Sequence, residues 1–257
     1  MSAAPGAARS HPFATLIRIV RQLRHDPRTV GLVLVVPALL LTLLYFVFSN
    51  VPAPPGGKAP FDSIGPIMLA VLPMMLMFIV TSVVMLRERT TGTLERVLTT
   101  PISRWNLIAS YAAVFGLLAV LQALILGGLV LGPMGVTIQG PWAVLMLVAV
   151  LDAVFGVAFG LLASAFARTE FQAVQFMPLF VGPQIFLCGL FVPGEQMPRV
   201  LEAIADWLPM TWAADVVTDL LSHAEVSSAS WWHLAALGAA AIAALVMASA
   251  TMPRATT

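Results

Sequence analysis

One acidic residue, Asp152, lies inside a long apolar run, and it is the first candidate for chemistry. A charged side chain at the bilayer centre costs roughly 2.5 to 3.5 kcal/mol, so Asp152 should face a helix interface or an internal cavity. Asp152, Gly156, Gly160 and Ser164 recur every four residues, and small residues at that spacing allow helices to approach closely. The stripe predicts a substrate-pathway site at Asp152, Gly156 and Gly160, where Asp152 contacts substrate or carries a proton. The alternative is a protonated carboxyl that bonds to a neighbouring helix.

Residues typical of catalysis are otherwise missing from the sequence. It has no G-x-x-x-x-G-K-[ST] phosphate loop, because its one Gly-Lys pair, Gly57 and Lys58, is followed by Ala. The four histidines are scattered without metal-ligand spacing, and there is no G-x-S-x-G nucleophile motif. We therefore expect no catalytic residues, no metal site and no cofactor on this chain, and no nucleotide hydrolysis by it alone. Cys188, the single cysteine, cannot form an internal disulfide.

Composition points to a membrane protein. With 60% hydrophobic and 10% charged residues, the 257-residue chain has too little polar surface to cover a globule in water. A net charge of +1 leaves no basic face that could follow a phosphate backbone, so nucleic acid is excluded as a partner. We predict an all-α integral membrane protein, a single transmembrane domain over residues 1–257 with lipid around it.

Six apolar stretches are long enough to cross the hydrocarbon core. The predicted spans are Val30–Phe48, Ile64–Leu86, Leu107–Val130, Trp142–Ala167, Gln172–Phe191 and Trp232–Ala248. Nearly all the Lys and Arg residues fall in alternate gaps between them, and only Lys58 and Arg199 fall in the others. Cytoplasmic loops carry the basic excess, so the pattern predicts a multi-pass protein with both termini in the cytoplasm.

Two segments outside the spans have amphipathic patterns. From Phe13 to about Arg28, apolar residues recur at helical spacing with arginines mainly opposite, which predicts a helix on the inner leaflet whose arginines face anionic headgroups. The alternative is a frayed basic tail. The outer stretch Val192–Ser230 predicts one helix from Pro198 that Pro209 breaks, and a second capped by Thr211. Together they would form a re-entrant segment over an outer mouth, or else a plain outer loop.

The inner segment Arg87–Trp105 carries a short apolar stripe, Leu94, Val97 and Leu98, that ends at Pro101. Thr100 and Pro101 are typical of an N-cap and a first helical position for the third span. A short polar helix joined to two spans could act as a lever that passes a push from a cytoplasmic partner into the membrane. A solvated loop with ordinary inner-side charge is the alternative.

The run RERTTGTLERVLTTPISRWNLI resembles the signature of type-2 ATP-binding-cassette (ABC) permeases. The runs LLASAFARTEFQAVQFMPLF, LFVPGEQMP and WLPMTWAADVV are similar to the daunorubicin and multidrug-resistance branch of bacterial exporters. The resemblance extends from about Thr81 to Leu221. Glu170 and Gln175 match the pattern without a role that it assigns.

The resemblance implies a permease subunit in a bacterial inner membrane that exports a hydrophobic or amphipathic compound. Two separate ABC-type ATPases, which hold the ATP and Mg, would drive a pair of permeases, either a homodimer or two different chains. The motif residues expected to couple to the ATPases are Arg87, Glu88, Gly92, Thr93, Leu94, Glu95 and Arg96.

Two other functional classes stay open on the residues alone. One is an ion- or proton-coupled carrier or channel that uses Asp152 as its titrating group. The other is a membrane anchor or assembly subunit, for which the helices alone would suffice.

Overall fold

The computed structural model describes residues 12–53, 57–91 and 104–251. Within these ranges the chain forms nine α-helices and one 3-10 turn at Gly194–Gln196, with no strand. The helices are α1 Pro12–Arg24, α2 Pro27–Phe48, α3 Pro60–Thr90, α4 Arg104–Leu131, α5 Trp142–Ala163, α6 Glu170–Leu187, α7 Arg199–Ala205, α8 Pro209–Ser222 and α9 Ser228–Ala250.

Five of the described helices, α2, α3, α4, α5 and α9, are long and apolar enough to cross a membrane. The predicted all-α membrane class is confirmed. The fifth predicted span coincides with α6, which has 18 residues and is not one of these five. Three glutamines and Glu170 lower its apolar character, so the count of six spans stays a prediction.

Helix α5 lies at the centre of the bundle, where it packs against α3, α4, α8 and α9. Two thirds of its most apolar window, 67%, is buried, against 17% for α2. A helix that is hydrophobic all round and buried all round belongs to the interior, whereas α2 presents most of its surface outward. The structure therefore places Asp152 on the most enclosed helix of the described chain.

The small residues of α5 pack against α3, its most extensive contact. A Cβ at Gly156 would overlap the backbone carbonyl of Met74, and one at Gly160 would overlap the Thr81 side chain and the Phe78 carbonyl. The Thr81 hydroxyl also donates to the carbonyl of Val157, at 3.2 Å. The stripe is thus a close-packing seam between two helices, as the four-residue spacing predicts.

Two predicted spans end earlier than expected. Helix α5 ends at Ala163 rather than Ala167, because the Ser164 amide and hydroxyl take up the carbonyls of Gly160 and Leu161 in a terminal turn. Helix α6 ends at Leu187 rather than Phe191. Gly189, with φ of 85°, supplies the left-handed conformation that commonly follows a helix C-terminus.

The N-terminal amphipathic segment is shorter than predicted, since α1 ends at Arg24. Asp26 interrupts it by capping α2: its carboxylate accepts from the Thr29 amide at 3.2 Å and the Thr29 hydroxyl at 2.6 Å, and Pro27 begins the new helix. These hydrogen bonds lower the pKa of Asp26. Helix α1 packs against α4 and buries Ile19, so the helix is held by protein as well as by any lipid.

The outer segment forms two helices, but with a different boundary from the one predicted. Pro209 opens α8 rather than only breaking the helix before it, because proline suits the first helical turn, where no amide partner is needed. Leu208 is the N-cap, and Thr211 lies inside the first turn with its amide bonded to the Leu208 carbonyl. The predicted cap at Thr211 is therefore wrong.

The loops around α8 are tied to its C-terminal end. Lys58 and the amides of Gln139 and Gly140 donate to the carbonyls of Leu221 and Leu220. Asp219 accepts from the Ser227 amide at 3.0 Å and the Ser230 hydroxyl at 2.6 Å. Burial raises the pKa of Asp219, but the bonds from Ser230, Ser227 and His223 outweigh it and lower the pKa to about 2.

We expect Gly156→Ala to destabilise the protein, because its new methyl group would overlap the α3 backbone. Overpacking of this kind costs about 1 to 3 kcal/mol. The measurement is the thermal midpoint of the detergent-solubilised protein by size exclusion. Gly238→Ala is the matched control, since its Cβ would have nothing within 4 Å. Equal midpoints for the two variants would contradict the close α3–α5 seam.

We expect the native chain to be more stable than Asp219→Asn at pH 5 and above. The folded-state pKa, about 2, lies below the usual value of 3.8, so the charged form is favoured by folding above the unfolded pKa. The advantage should shrink as pH falls from about 5 toward 2, which thermal midpoints in a pH series measure. An advantage that grows as pH falls below 5 would contradict this assignment.

Candidate functional site

The cytoplasmic end of α3, by the predicted topology, carries the first two motif residues. Helix α3 continues to Thr90, so Arg87 and Glu88 belong to a long rigid helix rather than to a separate short one. Successive residues on a helix point in different directions, by about 100° each. Arg87 and Glu88 consequently contact two different elements.

Arg87 pairs with Glu170 at the start of α6. Its Nε and Nη2 donate to the two carboxylate oxygens of Glu170, at 2.7 and 2.9 Å, in a bidentate arrangement. The bond from Arg87 lowers the pKa of Glu170, so the carboxylate is charged at neutral pH. Both side chains are more than half exposed, and an ion pair in that setting contributes about 0.2 to 1 kcal/mol.

Glu88 points the other way, into the protein, and its side chain is 7% exposed. Its Oε2 lies 3.6 Å from Nη1 of Arg18 on α1. The same guanidinium donates to the hydroxyl of Tyr111 on α4, at 3.4 Å. Arg18 thus faces the bundle, whereas the sequence predicts arginines of this helix that face lipid headgroups. Three helices meet at one partly buried charge cluster.

The start of α6 is held by its own capping bonds. The Thr169 hydroxyl accepts from the Gln172 amide at 3.2 Å, and the Gln172 side chain accepts from the Arg168 amide at 2.8 Å. This reciprocal pattern resembles a capping box and fixes the direction in which Glu170 leaves the helix. The acid in the first turn also suits the positive end of the helix dipole.

The other predicted coupling residues, Gly92, Thr93, Leu94, Glu95 and Arg96, lie outside the described residues, as does the predicted cap at Thr100 and Pro101. Sequence reasoning missed the roles of Arg18 and Tyr111 and left Glu170 without one. Arg18 precedes the first predicted span and so belongs to the predicted inner side, but nothing in the sequence links it to Glu88, 70 positions away.

Asp152 is fully buried, and neither of its carboxyl oxygens has a hydrogen-bond partner among the described residues. The alternative, in which the carboxyl bonds to a neighbouring helix, requires a hydrogen bond that is not found among the described residues. Gln122 on α4 is equally buried and its side-chain atoms are likewise unpartnered there. Gly156 and Gly160 serve helix packing, and a pathway role for the stripe stays a prediction.

Comparison with known proteins decides the family. The model of the ABC-2 type transporter family matches residues 13–221, which is most of the chain. The chain belongs to the ABC-2 type transporter family. The matched region includes α1 from its second residue, the charge cluster and the outer segment as far as Leu221. The resemblance seen in the sequence is thereby confirmed.

Curated relatives of this ABC-2 type protein are permeases. Over 155 residues, 60% of this chain and 42% of the relative, it is 28% identical to the probable multidrug ABC transporter permease YbhR of Escherichia coli K12. It is 30% identical over 141 residues, 54% of this chain and 36% of the relative, to the linearmycin resistance permease protein LnrN of Bacillus subtilis 168. The chain spans less than half the length of these relatives.

The chemistry available at the charge cluster of this ABC-2 type protein is electrostatic. Within residues 12–53, 57–91 and 104–251, no group of three or more His, Cys, Asp or Glu side chains could hold a metal ion. The ion pairs join the end of α3 to α1 and to α6, and we call these contacts the helix junction.

We expect Glu88→Ala to destabilise the protein more than Glu170→Ala. Removing Glu88 leaves Arg18, whose side chain is about two thirds buried, without its carboxylate, and an unsatisfied group in such a setting costs about 1 to 3 kcal/mol. Removing Glu170 breaks an exposed pair worth about 0.2 to 1 kcal/mol. Thermal midpoints, combined in two double-mutant cycles with Arg18→Ala and Arg87→Ala, give both coupling energies. Equal coupling in the two pairs would contradict the burial argument.

Proposed function

We propose that this chain is the permease subunit of an ATP-driven exporter that moves a hydrophobic or amphipathic compound out of the cell, powered by a separate ABC-type ATPase. The observation that carries the proposal is the ABC-2 family match over residues 13–221, together with a helix junction at the end of α3 that adjoins the motif. The names of the relatives, multidrug permease and linearmycin resistance permease, are consistent with export.

A six-span topology with both termini in the cytoplasm of a bacterial inner-membrane protein is part of the proposal. Contacts at the two ends of α6 support it. Glu170 at its start bonds Arg87, which follows a predicted inner end, whereas Gln184 near its end accepts from the Met210 amide of the outer segment, at 3.3 Å. Eighteen residues rise about 27 Å in a helix, close to the hydrocarbon thickness of about 30 Å.

The junction offers a route for force. A push on residues 92–103 would act directly on the end of α3. From there Glu88 reaches α1 through Arg18, and Arg87 reaches α6 through Glu170. When two ATP-loaded ATPases close against this junction, they would tilt α1, α3 and α6 together. That tilt would open the substrate pathway to the outer side. Lateral connections of this kind let a short motif act on several helices.

The proposal includes a second permease, and we place the interface between the two permeases on α6. Phe171, Leu179 and Phe186 are each more than 60% exposed on it. Gln175 is exposed among them, and a polar amide is costly against lipid unless protein or water covers it. The α6 helix of a second copy would cover both the apolar side chains and Gln175. Between the two helices, an apolar pathway would remain for the substrate.

We expect the double variant Leu94→Ala and Glu95→Ala to abolish most ATP-dependent export while leaving the permease folded, because these motif residues would contact the ATPase. The assay is efflux of a fluorescent hydrophobic dye from vesicles that contain the permease and its co-expressed ATPase. Glu225→Ala, an exposed acid of the outer segment, is the control. Unchanged efflux in the double variant would contradict coupling through this motif.

The second candidate function is an ion- or proton-coupled carrier centred on Asp152. The observation that favours it is a fully buried carboxyl without a hydrogen-bond partner in the described part of the chain. Asp152→Asn separates the two proposals. Loss of transport together with its pH dependence would favour the carrier, and ATP-dependent efflux that persists would favour the exporter.

A further inference from the structure

An apolar groove of about 420 Å³ lies between α1 and α4. Its eight lining residues are all Val or Leu, two from α1 and six from α4. Val20 and Leu23 form the α1 side, and the α4 side extends from Val114 to Leu124. We call it the α1–α4 groove. These side chains carry no hydrogen-bonding group, so whatever lies along the groove must be apolar.

The length of the groove corresponds to one leaflet of a bilayer. Val114 and Leu124 are ten residues apart on one helix, which is a rise of about 15 Å. The hydrocarbon core is about 30 Å thick, so the groove covers about half of it. Tyr111, which bonds Arg18, lies one turn before Val114, and the groove therefore begins beside the charge cluster. It has the length and the direction of an acyl chain in a single leaflet.

The α4 side of the groove is open to its surroundings. Leu117, Leu121 and Leu124 are 69%, 46% and 53% exposed. In a chain that crosses a membrane, lipid or another helix must cover such side chains. A flat helix surface contacts an acyl chain on one side only. A groove between two helices contacts it on two sides, and the added dispersion contacts favour one chain that stays in place.

Two arginines lie beside the α1 side of the groove. Arg21 and Arg24 are in the last turn of α1, and both are exposed. Arg24 follows Val20 by four residues, so the two side chains share a face of the helix. Neither arginine forms an ion pair with an acid in the described part of the chain. The groove thus has apolar walls along its length and uncompensated positive charge at one end.

The two nearest acids in this region already have partners. Glu88 faces Arg18, with 3.6 Å between the carboxylate oxygen and the guanidinium nitrogen. Asp26 accepts hydrogen bonds from the amide and the hydroxyl of Thr29. The two arginines at the end of α1 are therefore available to an anion from outside the chain.

A phospholipid with an anionic headgroup combines the two properties that the groove requires. Its acyl chain is apolar, and its phosphate is joined to that chain at the membrane surface. Arginine donates to phosphate oxygens through a planar fork, and basic side chains near the cytoplasmic leaflet attract anionic lipids. In the predicted topology, the arginine end of the groove lies at the inner leaflet.

We infer that the α1–α4 groove binds an acyl chain of an anionic phospholipid, whose headgroup is held by Arg21 and Arg24. The sequence predicts only a general attraction between the arginines of α1 and headgroups, whereas the groove supplies a defined site. The bound lipid would connect α1 to α4 beside the Arg18 pair. This site goes beyond the proposed export function, because lipid binding requires no ATPase.

Native mass spectrometry tests the inference on the full chain, purified in detergent and stripped of lipid, because it counts bound lipids and permease copies together. The probes are phosphatidylglycerol, which is anionic, and phosphatidylcholine with identical acyl chains. We expect the first phosphatidylglycerol to bind at least about fivefold more tightly, the effect expected of one arginine near an anionic lipid. An excess of glycerol phosphate, which lacks the acyl chains, should not displace it.

Two variants and their controls locate the binding. Arg21→Gln combined with Arg24→Gln should remove the preference for phosphatidylglycerol and leave phosphatidylcholine binding unchanged. Arg168→Gln, the same kind of change at another exposed arginine, should keep the preference. Leu121→Trp should fill the groove and weaken binding of both lipids severalfold. Leu43→Trp, an equal change at an exposed position of α2 that does not line the groove, should have no effect.

Several outcomes would overturn the inference. These are equal affinity for the two lipids, a preference that survives the double arginine variant, equal weakening by the two tryptophan variants, and displacement of the lipid by glycerol phosphate. If Leu121→Trp dissociates a dimer without releasing lipid, the groove is a contact between copies of the chain. Because the measurement uses neither ATP nor an ATPase, its failure would leave the export proposal standing.

Discussion

The contact on which the rest of the structure depends is the close approach of α3 and α5. Helices in lipid gain little from apolar burial, because the acyl chains are as apolar as leucine, and their association depends on packing. Gly156 and Gly160 allow that approach, and the Thr81 hydroxyl bonds across it to the Val157 carbonyl. Because α3 is held in this way, the positions of Arg87 and Glu88 at the end of the bundle are fixed.

Carboxylates are paired with arginines at one end of the bundle, but they line a cavity without basic side chains at the other. At the end of α3, each carboxylate has an arginine: Glu170 has Arg87, and Glu88 has Arg18. In the outer segment, four carboxylates line one cavity that no basic side chain lines. In the predicted topology these four acids lie on the outer side, whereas most Lys and Arg residues lie in the inner loops.

Helix class was predictable from sequence, whereas helix ends were only partly so. Apolar runs of about 20 residues identify membrane helices with little dependence on tertiary structure, and α2, α3, α4, α5 and α9 follow them closely. The ends depend on local hydrogen bonds that compete at single residues. Asp26 capped α2 and so shortened α1, and Pro209 opened α8 where it was expected mainly to close the preceding helix.

The sequence by itself determined the class of the protein and the glycine seam on α5, and it predicts the inner and outer assignment of the charges. Each of these follows from composition or from spacing along one helix. Only the tertiary structure decided that Arg18 joins Glu88 and Tyr111, that Glu170 joins Arg87, and that four acids of the outer segment line one cavity. Those contacts link residues far apart in the chain, and their formation depends on how the helices rotate and pack, which no local pattern encodes.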